Sequence, residues 1–334
     1  MKKIFIYFIL LSSVLLLTFC SENIEEKIET NDPDFDLASI TLDWYPNANH
    51  AGLYSAVKHD HFMDNKINIV IDTPSDPATI LSLVSHQDSD FGIFYQPDLL
   101  LARSQGVPVV AVASIVNEPL NALMTLKDSG ISRPKDLASK KIGYPGIDWN
   151  RSMLATMLES DGLSIVDVEL IDVGWSLAPA LLSGEVDAII GAYWTHESII
   201  MEKEGYGIEV IMPNEWGVPP YYELILVTSE KTLEENPNLV KRMVNSISAG
   251  YTSAIEDSED ALRNLIIMNP PTIDEEIESK GIELLVPIWQ NNQNPEFGRI
   301  DEDRWNKFSE WMKSKKLIPD DMKTDISFSN EFLD

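Results

Sequence analysis

The sequence predicts an α/β protein in two lobes, with mainly parallel sheets facing one another across a cleft. Three observations carry that expectation. Strand-like runs alternate with helical ones through most of the chain, the pattern of a parallel sheet covered on both faces. About 300 residues follow the polar amino-terminal segment, which suits two lobes better than one core. A unit also repeats: residues 77–96 and 179–194 each run helix, small polar turn, Asp, buried strand, then large amphipathic residues. In open α/β sheets ligands sit beyond the carboxyl ends of strands, so two such ends facing each other make a cleft.

The elements follow in order. Residues 39–44 alternate and predict the first strand, and 52–58 begin a helix. A strand at 67–71, a helix at 77–85, a short buried strand at 90–94 and a helix at 99–104 come next. The apolar, β-branched run Val107-Pro-Val-Val-Ala-Val-Ala-Ser-Ile-Val116 predicts a long strand. A second set opens with a helix start at 134–137 and a strand at 141–144. It continues with helix 152–161, strand 168–173, helix 177–183 and buried strand 187–191, then strands at 209–212 and 223–228. Helices are expected at 231–256, 258–268, 274–290 and 302–315. The expected divisions are 38–125 for the first part of lobe I, 126–225 for lobe II and 226–334 for the return to lobe I.

The amino terminus predicts location. Lys2 and Lys3 precede an apolar run ending at Phe19. At roughly 16 residues it is shorter than the about 20 of a spanning helix, and its charge order is that of an export signal. Leu17-Thr18-Phe19-Cys20 resembles the lipobox of bacterial lipoproteins, although Phe19 stands where a small residue is preferred. Residues 1–19 are therefore expected to be a signal peptide, with lipid on Cys20 and a polar, acidic tether over 20–37. The body would lie outside the cytoplasm, held to the membrane through Cys20. This is the sole cysteine, so the body has no disulfide and no thiolate nucleophile. The formal charge of −29 argues against nucleic acid, and against docking of the body on anionic lipid.

Residues at the expected strand ends are the candidates for chemistry. Asp43, Trp44, Asn47 and His50 follow the first strand, and Tyr95 and Gln96 follow the short buried one. Tyr144, Trp149, Trp175, Tyr193, Trp194 and Glu197 follow second-lobe strands, while Tyr222 and Glu223 precede the return. Trp and Tyr offer flat faces for stacking together with polar handles. Asp43, Asp148, Glu197 and Glu223 would accept hydrogen bonds from ring N–H and amino groups. Together they suit a flat, nitrogen-rich heterocycle. Enzymatic motifs are missing: there is no Gly-x-Ser-x-Gly elbow and no Gly-x-x-x-x-Gly-Lys phosphate loop. His50, His59 and His61 are close in sequence, but no other ligand-type residues group with them, so no metal is expected.

Four stretches carry a family resemblance: Leu42-Asp-Trp-Tyr-Pro-Asn-Ala-Asn-His-Ala-Gly-Leu-Tyr54, Tyr95-Gln-Pro-Asp-Leu-Leu-Leu-Ala-Arg103, Leu182-Ser-Gly-Glu-Val-Asp-Ala-Ile-Ile-Gly-Ala-Tyr-Trp194 and Gly217-Val-Pro-Pro-Tyr-Tyr-Glu-Leu224. They resemble substrate-binding proteins of the thiamine-pyrimidine-synthase-like group, over about residues 38–260. The resemblance implies the type II periplasmic-binding fold: two α/β lobes, two crossovers and hinged closure on a ligand. It implies a monomer without cofactor, with the permease and ATPase of an ABC importer as partners. Ligands in the group include formylated aminopyrimidine precursors of thiamine; close relatives bind riboflavin and more distant ones alkanesulfonates. The aromatic strand ends favour a pyrimidine, with riboflavin as the competitor. A fungal branch is an enzyme that uses a histidine and a cysteine cluster. The matching stretches here, Gln96-Pro-Asp-Leu99 and Val218-Pro-Pro-Tyr-Tyr222, hold neither residue type, so the resemblance implies a binding protein. A cleft protein repurposed as an adhesin or sensor would leave the same sequence trace.

Overall fold

The computed structural model describes residues 34–271, 273–290 and 297–333. The expected signal peptide, the lipid site at Cys20 and most of the tether lie outside them. The first strand, β1, spans Asp36–Thr41 and so starts inside the stretch expected as tether.

The strands continue as β2 (Ile67–Asp72), β3 (Phe91–Phe94), β4 (Val109–Val116), β5 (Asn121–Leu126), β6 (Lys141–Tyr144), β7 (Glu169–Asp172), β8 (Ala188–Tyr193), β9 (Ile208–Ile211) and β10 (Leu224–Ser229). They form two five-stranded sheets, β2-β1-β3-β10-β4 and β7-β6-β8-β5-β9. The orders are equivalent. In each sheet the fourth position is the one reversed strand, β10 pairing antiparallel with β3 and β4, and β5 with β8 and β9. Both reversed strands are where the chain changes sheet. The first passage lies between Val116 and Asn121, upstream of the boundary expected near residue 126, and the return lies between Ile211 and Leu224.

The helices are α1 (Ala51–Lys58), α2 (His61–Asp64), α3 (Ile80–Ser85), α4 (Gln96–Ser104), α5 (Asp148–Ser160), α6 (Leu177–Leu182), α7 (Glu197–Lys203), α8 (Glu230–Glu235), α9 (Pro237–Glu256), α10 (Ser258–Met268), α11 (Glu275–Trp289) and α12 (Glu302–Ser314). β4 is buried at every position, because α-helical cover and the carboxyl-terminal segment enclose it. Ala111 exchanges backbone bonds with Ser327 and Ser329, so that segment also satisfies the outer edge of β4. The expected helix 231–256 is two helices. Pro237 lacks the N–H that an uninterrupted helix needs there, and it starts α9 instead. No helix among the described residues is long and apolar enough to cross a membrane.

Candidate ligand-binding cleft

The carboxyl ends of β1, β3, β6 and β8 converge, with the start of β5, on about 430 Å³ of atom-free space. β1 leads into Asp43, Trp44 and Asn47, and β3 into Tyr95. Pro145, Ile147, Trp149 and Asn150 come from the β6–α5 junction. Gly191, Tyr193, His196 and Glu197 come from β8 and the start of α7, and Asn121 opens β5.

Asp43 is 1% exposed. It accepts the Tyr95 hydroxyl at 3.1 Å and lies 2.9 Å from Nε2 of His50. Nδ1 of His50 accepts the Asn47 N–H at 3.2 Å, so the Nε2 proton is the one donated to Asp43. Asn47 is itself fixed, accepting from the Asn49 N–H at 2.9 Å. His50 is buried beneath the cavity and orients Asp43 without lining the space.

Trp44 packs against Trp175, ring centroids 4.1 Å apart, and Trp175 Nε1 donates to Ser75 O at 3.4 Å. These contacts join the segments after β1 and β2 to the segment after β7. On the opposite wall the ring of Trp149 meets Tyr221, Phe308 and Trp311 edge-on at 5.3, 5.7 and 6.0 Å. That places a rigid aromatic face where α5 begins.

Gly191 lets the wall close. Its φ is +99°, and a Cβ there would sit 2.8 Å from Pro145 Cδ and 3.1 Å from the Asn150 side chain. Asn150 Nδ2 donates to Asn121 Oδ1 at 3.1 Å, which joins the β6 and β5 contributions. Three lining atoms bond to no described residue: Trp44 Nε1, Trp149 Nε1 and Asn150 Oδ1. Buried polar atoms are rarely left so, and two donors with an acceptor at one cavity offer complementary positions to a polar ring.

Glu197 accepts the Tyr193 N–H at 2.8 Å and faces His196 Nδ1 at 3.0 Å. His196 Nε2 lies 3.3 Å from Glu278 of α11. Burial works against charge on His196, but the carboxylates of Glu197 and Glu278 outweigh it and hold the imidazole up at about 10. The hydroxyls of Tyr95 and Tyr193 are held well above the ordinary tyrosine value, first by burial and then by nearby carboxylates.

Seven of the residues expected at the site stand outside this lining: His50, Gln96, Tyr144, Trp175, Trp194, Tyr222 and Glu223. Each has another bonding role. Gln96 exchanges bonds with the Tyr222 backbone at 2.9 and 3.3 Å. The Tyr222 hydroxyl accepts the Asp301 N–H at 2.7 Å, and Arg304 lies over its ring. Trp194 Nε1 donates to Pro119 O at 3.2 Å, and Tyr144 O accepts the Val173 N–H at 2.9 Å. Glu223 accepts from the Leu120 and Asn121 N–H groups, Asn121 Nδ2 and the Tyr221 hydroxyl at 2.7–3.0 Å, tying the two sheet crossings together. Burial raises its carboxyl above the ordinary glutamate value.

Sequence reasoning missed Asn121, Pro145, Ile147, Asn150, Gly191 and His196 as lining residues. All but Asn121 lie in the strand-end stretches already singled out or beside them. Asn121 lies on a strand that alternation did not reveal. Among the described residues no group of three or more His, Cys, Asp or Glu is placed to hold a metal ion.

The family model described as NMT1/THI5 like matches residues 47–261. The chain belongs to this family. Its NMT1/THI5-like relatives include the formylaminopyrimidine-binding protein of Halalkalibacterium halodurans, 33% identical over 325 residues, 96% of this chain and 97% of that protein. They also include the 4-amino-5-hydroxymethyl-2-methylpyrimidine phosphate synthase of Schizosaccharomyces pombe, 22% identical over 85% of this chain and 83% of that one. The alkanesulfonate-binding protein SsuA from Xanthomonas axonopodis pv. citri, bound to MOPS, superposes with a TM-score of 0.68 at 13% identity. The match covers 88% of this chain and 98% of that one, and it shows that this NMT1/THI5-like chain has the type II periplasmic-binding fold.

Proposed function

We propose that the chain is the extracytoplasmic substrate-binding component of an ABC importer and captures a thiamine pyrimidine precursor of the formylaminopyrimidine or hydroxymethylpyrimidine kind. Similarity over nearly its whole length to a formylaminopyrimidine-binding protein supports this. The observation that carries the ligand class is the cavity itself. Trp44, Trp149 and Tyr193 offer aromatic faces, while Trp44 Nε1 and Asn150 Oδ1 lack partners beside the carboxylates of Asp43 and Glu197. An aminopyrimidine presents ring nitrogens as acceptors and an amino group as donor, which that set complements.

In this reading the protein is not an enzyme, despite its similarity to pyrimidine synthases. Gln96 and Tyr222 bond to each other where the resemblance implies catalytic histidine and cysteine in the fungal branch. The proposal extends to a monomer tethered by lipid on Cys20, with a permease and ATPase as its other partners.

The test is mass spectrometry of small molecules released when the purified protein is denatured, with tryptophan fluorescence titration of formylaminopyrimidine, riboflavin and an alkanesulfonate. One pyrimidine per chain, released unchanged, is expected. Trp44→Ala should weaken binding about tenfold, the loss of roughly one stacking contact and one hydrogen bond. Release of riboflavin, or saturation by the sulfonate but not the pyrimidine, would overturn the ligand assignment.

A further inference from the structure

Glu278 stands outside the cavity lining yet touches both of its sides. One carboxylate oxygen accepts the Ala48 N–H at 2.6 Å, in the turn that follows β1 and carries Asn47. The other lies 3.3 Å from Nε2 of His196, which lines the cavity beyond β8. Nδ1 of the same imidazole faces Glu197 at 3.0 Å. Glu278, His196 and Glu197 are all buried.

A neutral imidazole has one N–H, so one of its nitrogens would point a lone pair at a carboxylate oxygen. With carboxylates at both nitrogens the geometry calls for imidazolium. One positive ring then holds two acids, one from α7 and one from α11. A buried charge is retained only where such partners surround it, and removing one partner exposes the full penalty of the rest.

We propose that Glu278 is the closure latch of the cleft, pairing with His196 on the β8 side while it bonds the Ala48 turn on the β1 side. The proposal rests on the reading of this chain as a binding protein that closes on its ligand. Glu278 makes no contact with the cavity space, so it is a positioning residue, and its effect falls on escape of the ligand rather than on encounter. It also explains why His196 stays cationic next to an aromatic ligand.

The charged and titratable groups facing His196 are Glu197, Glu278 and Tyr45, whose ring centroid lies 6.2 Å away. Partial burial, then the charge of Glu197, pushes the Tyr45 hydroxyl up to about 12, so it stays neutral through the test window.

The experiment uses the full chain and Glu278→Gln, an isosteric change that keeps an acceptor for Ala48. The ring resonances of His196, identified by their loss in His196→Gln, are followed by NMR. In the wild type they should report imidazolium throughout about pH 6 to 9, and in E278Q a titration should enter that window. Release of formylaminopyrimidine should quicken about tenfold in E278Q with little change in association rate. In the His196→Gln background the same change should have little further effect, because the two residues act as a pair. An unaltered titration and release rate would overturn the latch. So would an equal effect of E278Q with and without His196, which would leave only the bond to Ala48. If the wild type binds no pyrimidine, the function proposed above fails. The latch is then judged by the titration and by small-angle scattering, where E278Q should be more open and an unchanged radius overturns it. Should E278Q fail to fold, Glu278→Asp keeps the charge but reaches only one partner, and a wild-type titration and radius in that variant would also overturn the proposal.

Discussion

A carboxylate without solvent persists in a fold only when donors surround it, and Glu223 is such a residue. Four donors reach it at 2.7–3.0 Å, three of them from Leu120 and Asn121. In Glu223→Gln the single amide oxygen can serve only one side of the clamp, so its NH₂ meets either the Leu120 and Asn121 N–H groups or the Asn121 Nδ2 donor. Such a change is expected to destabilise the protein by about 2–4 kcal/mol, the usual cost of one or two buried donors left without partners. Urea denaturation followed by tryptophan fluorescence measures it, and a loss under about 1 kcal/mol would mean the two crossings do not depend on this clamp. Glu223 was legible as an acid beside a strand end, but its role was not. Its donors come from a strand that the sequence does not advertise. The same limit holds along β8. Tyr193 and Gly191 line the cavity while Ala192 between them turns into the core, because successive side chains on a strand point to opposite faces. A strand-end motif therefore names the neighbourhood of the site without saying which alternate residues enter it. Asn121 and Asn150 carry no signal of their own, since a lone Asn in a sequence is far more often a turn residue than half of a buried amide pair.

Among the elements, the two regular sets of strands and helices were legible because β-branched and apolar runs there are bounded by turns. β5 was not: Asn-Ala-Leu-Met-Thr-Leu has helix-forming residues at most positions, and burial between β8 and β9 makes it a strand. The reversed strand β10 was found, but nothing local announces its reversal, which is a property of the sheet. Helix packing shows the same division. α1 and α9 approach through two glycines that a helix-forming sequence would otherwise disfavour. A Cβ on Gly250 would lie 2.3 Å from the Gly52 carbonyl oxygen, and one on Gly52 would lie 2.3 Å from the Tyr251 ring. Backbone cannot yield as a flexible side chain does. Gly250→Ala should therefore destabilise by about 1–3 kcal/mol, despite the better helix propensity of alanine. A rise in melting temperature would show that the two helices have room to separate. Because Tyr251 also donates to Asn49 O at 2.6 Å, the same variant should weaken ligand binding by loosening the turn that carries Asn47.

For the whole molecule, pH acts through the buried acids that join the two sides of the cleft. Asp98, at the start of α4, accepts the Trp149 N–H at the start of α5, 3.3 Å away, and so joins the two sides of the cleft. Its second oxygen bonds to no described residue, and burial pushes the carboxyl up to about 8. An unfolded aspartate titrates near about 3.9. Over the interval between those values the folded protein binds a proton that the unfolded chain does not, so stability falls as pH rises through it. Part of the decline has another origin, since a chain of formal charge −29 repels itself more strongly as its remaining acids ionise. Asp98→Asn separates the two causes, because it leaves the other acids in place. Below about pH 4 the protonated acid and the amide should melt together, the gap should widen between about pH 4 and 8, and above about pH 8 the variant should melt several degrees higher by a constant margin. Melting curves that stay parallel from pH 5 to 9 would place the proton elsewhere. Convergence at low pH with separation at high pH would identify Asp98 as the buried acid whose ionisation destabilises the fold as the medium turns alkaline.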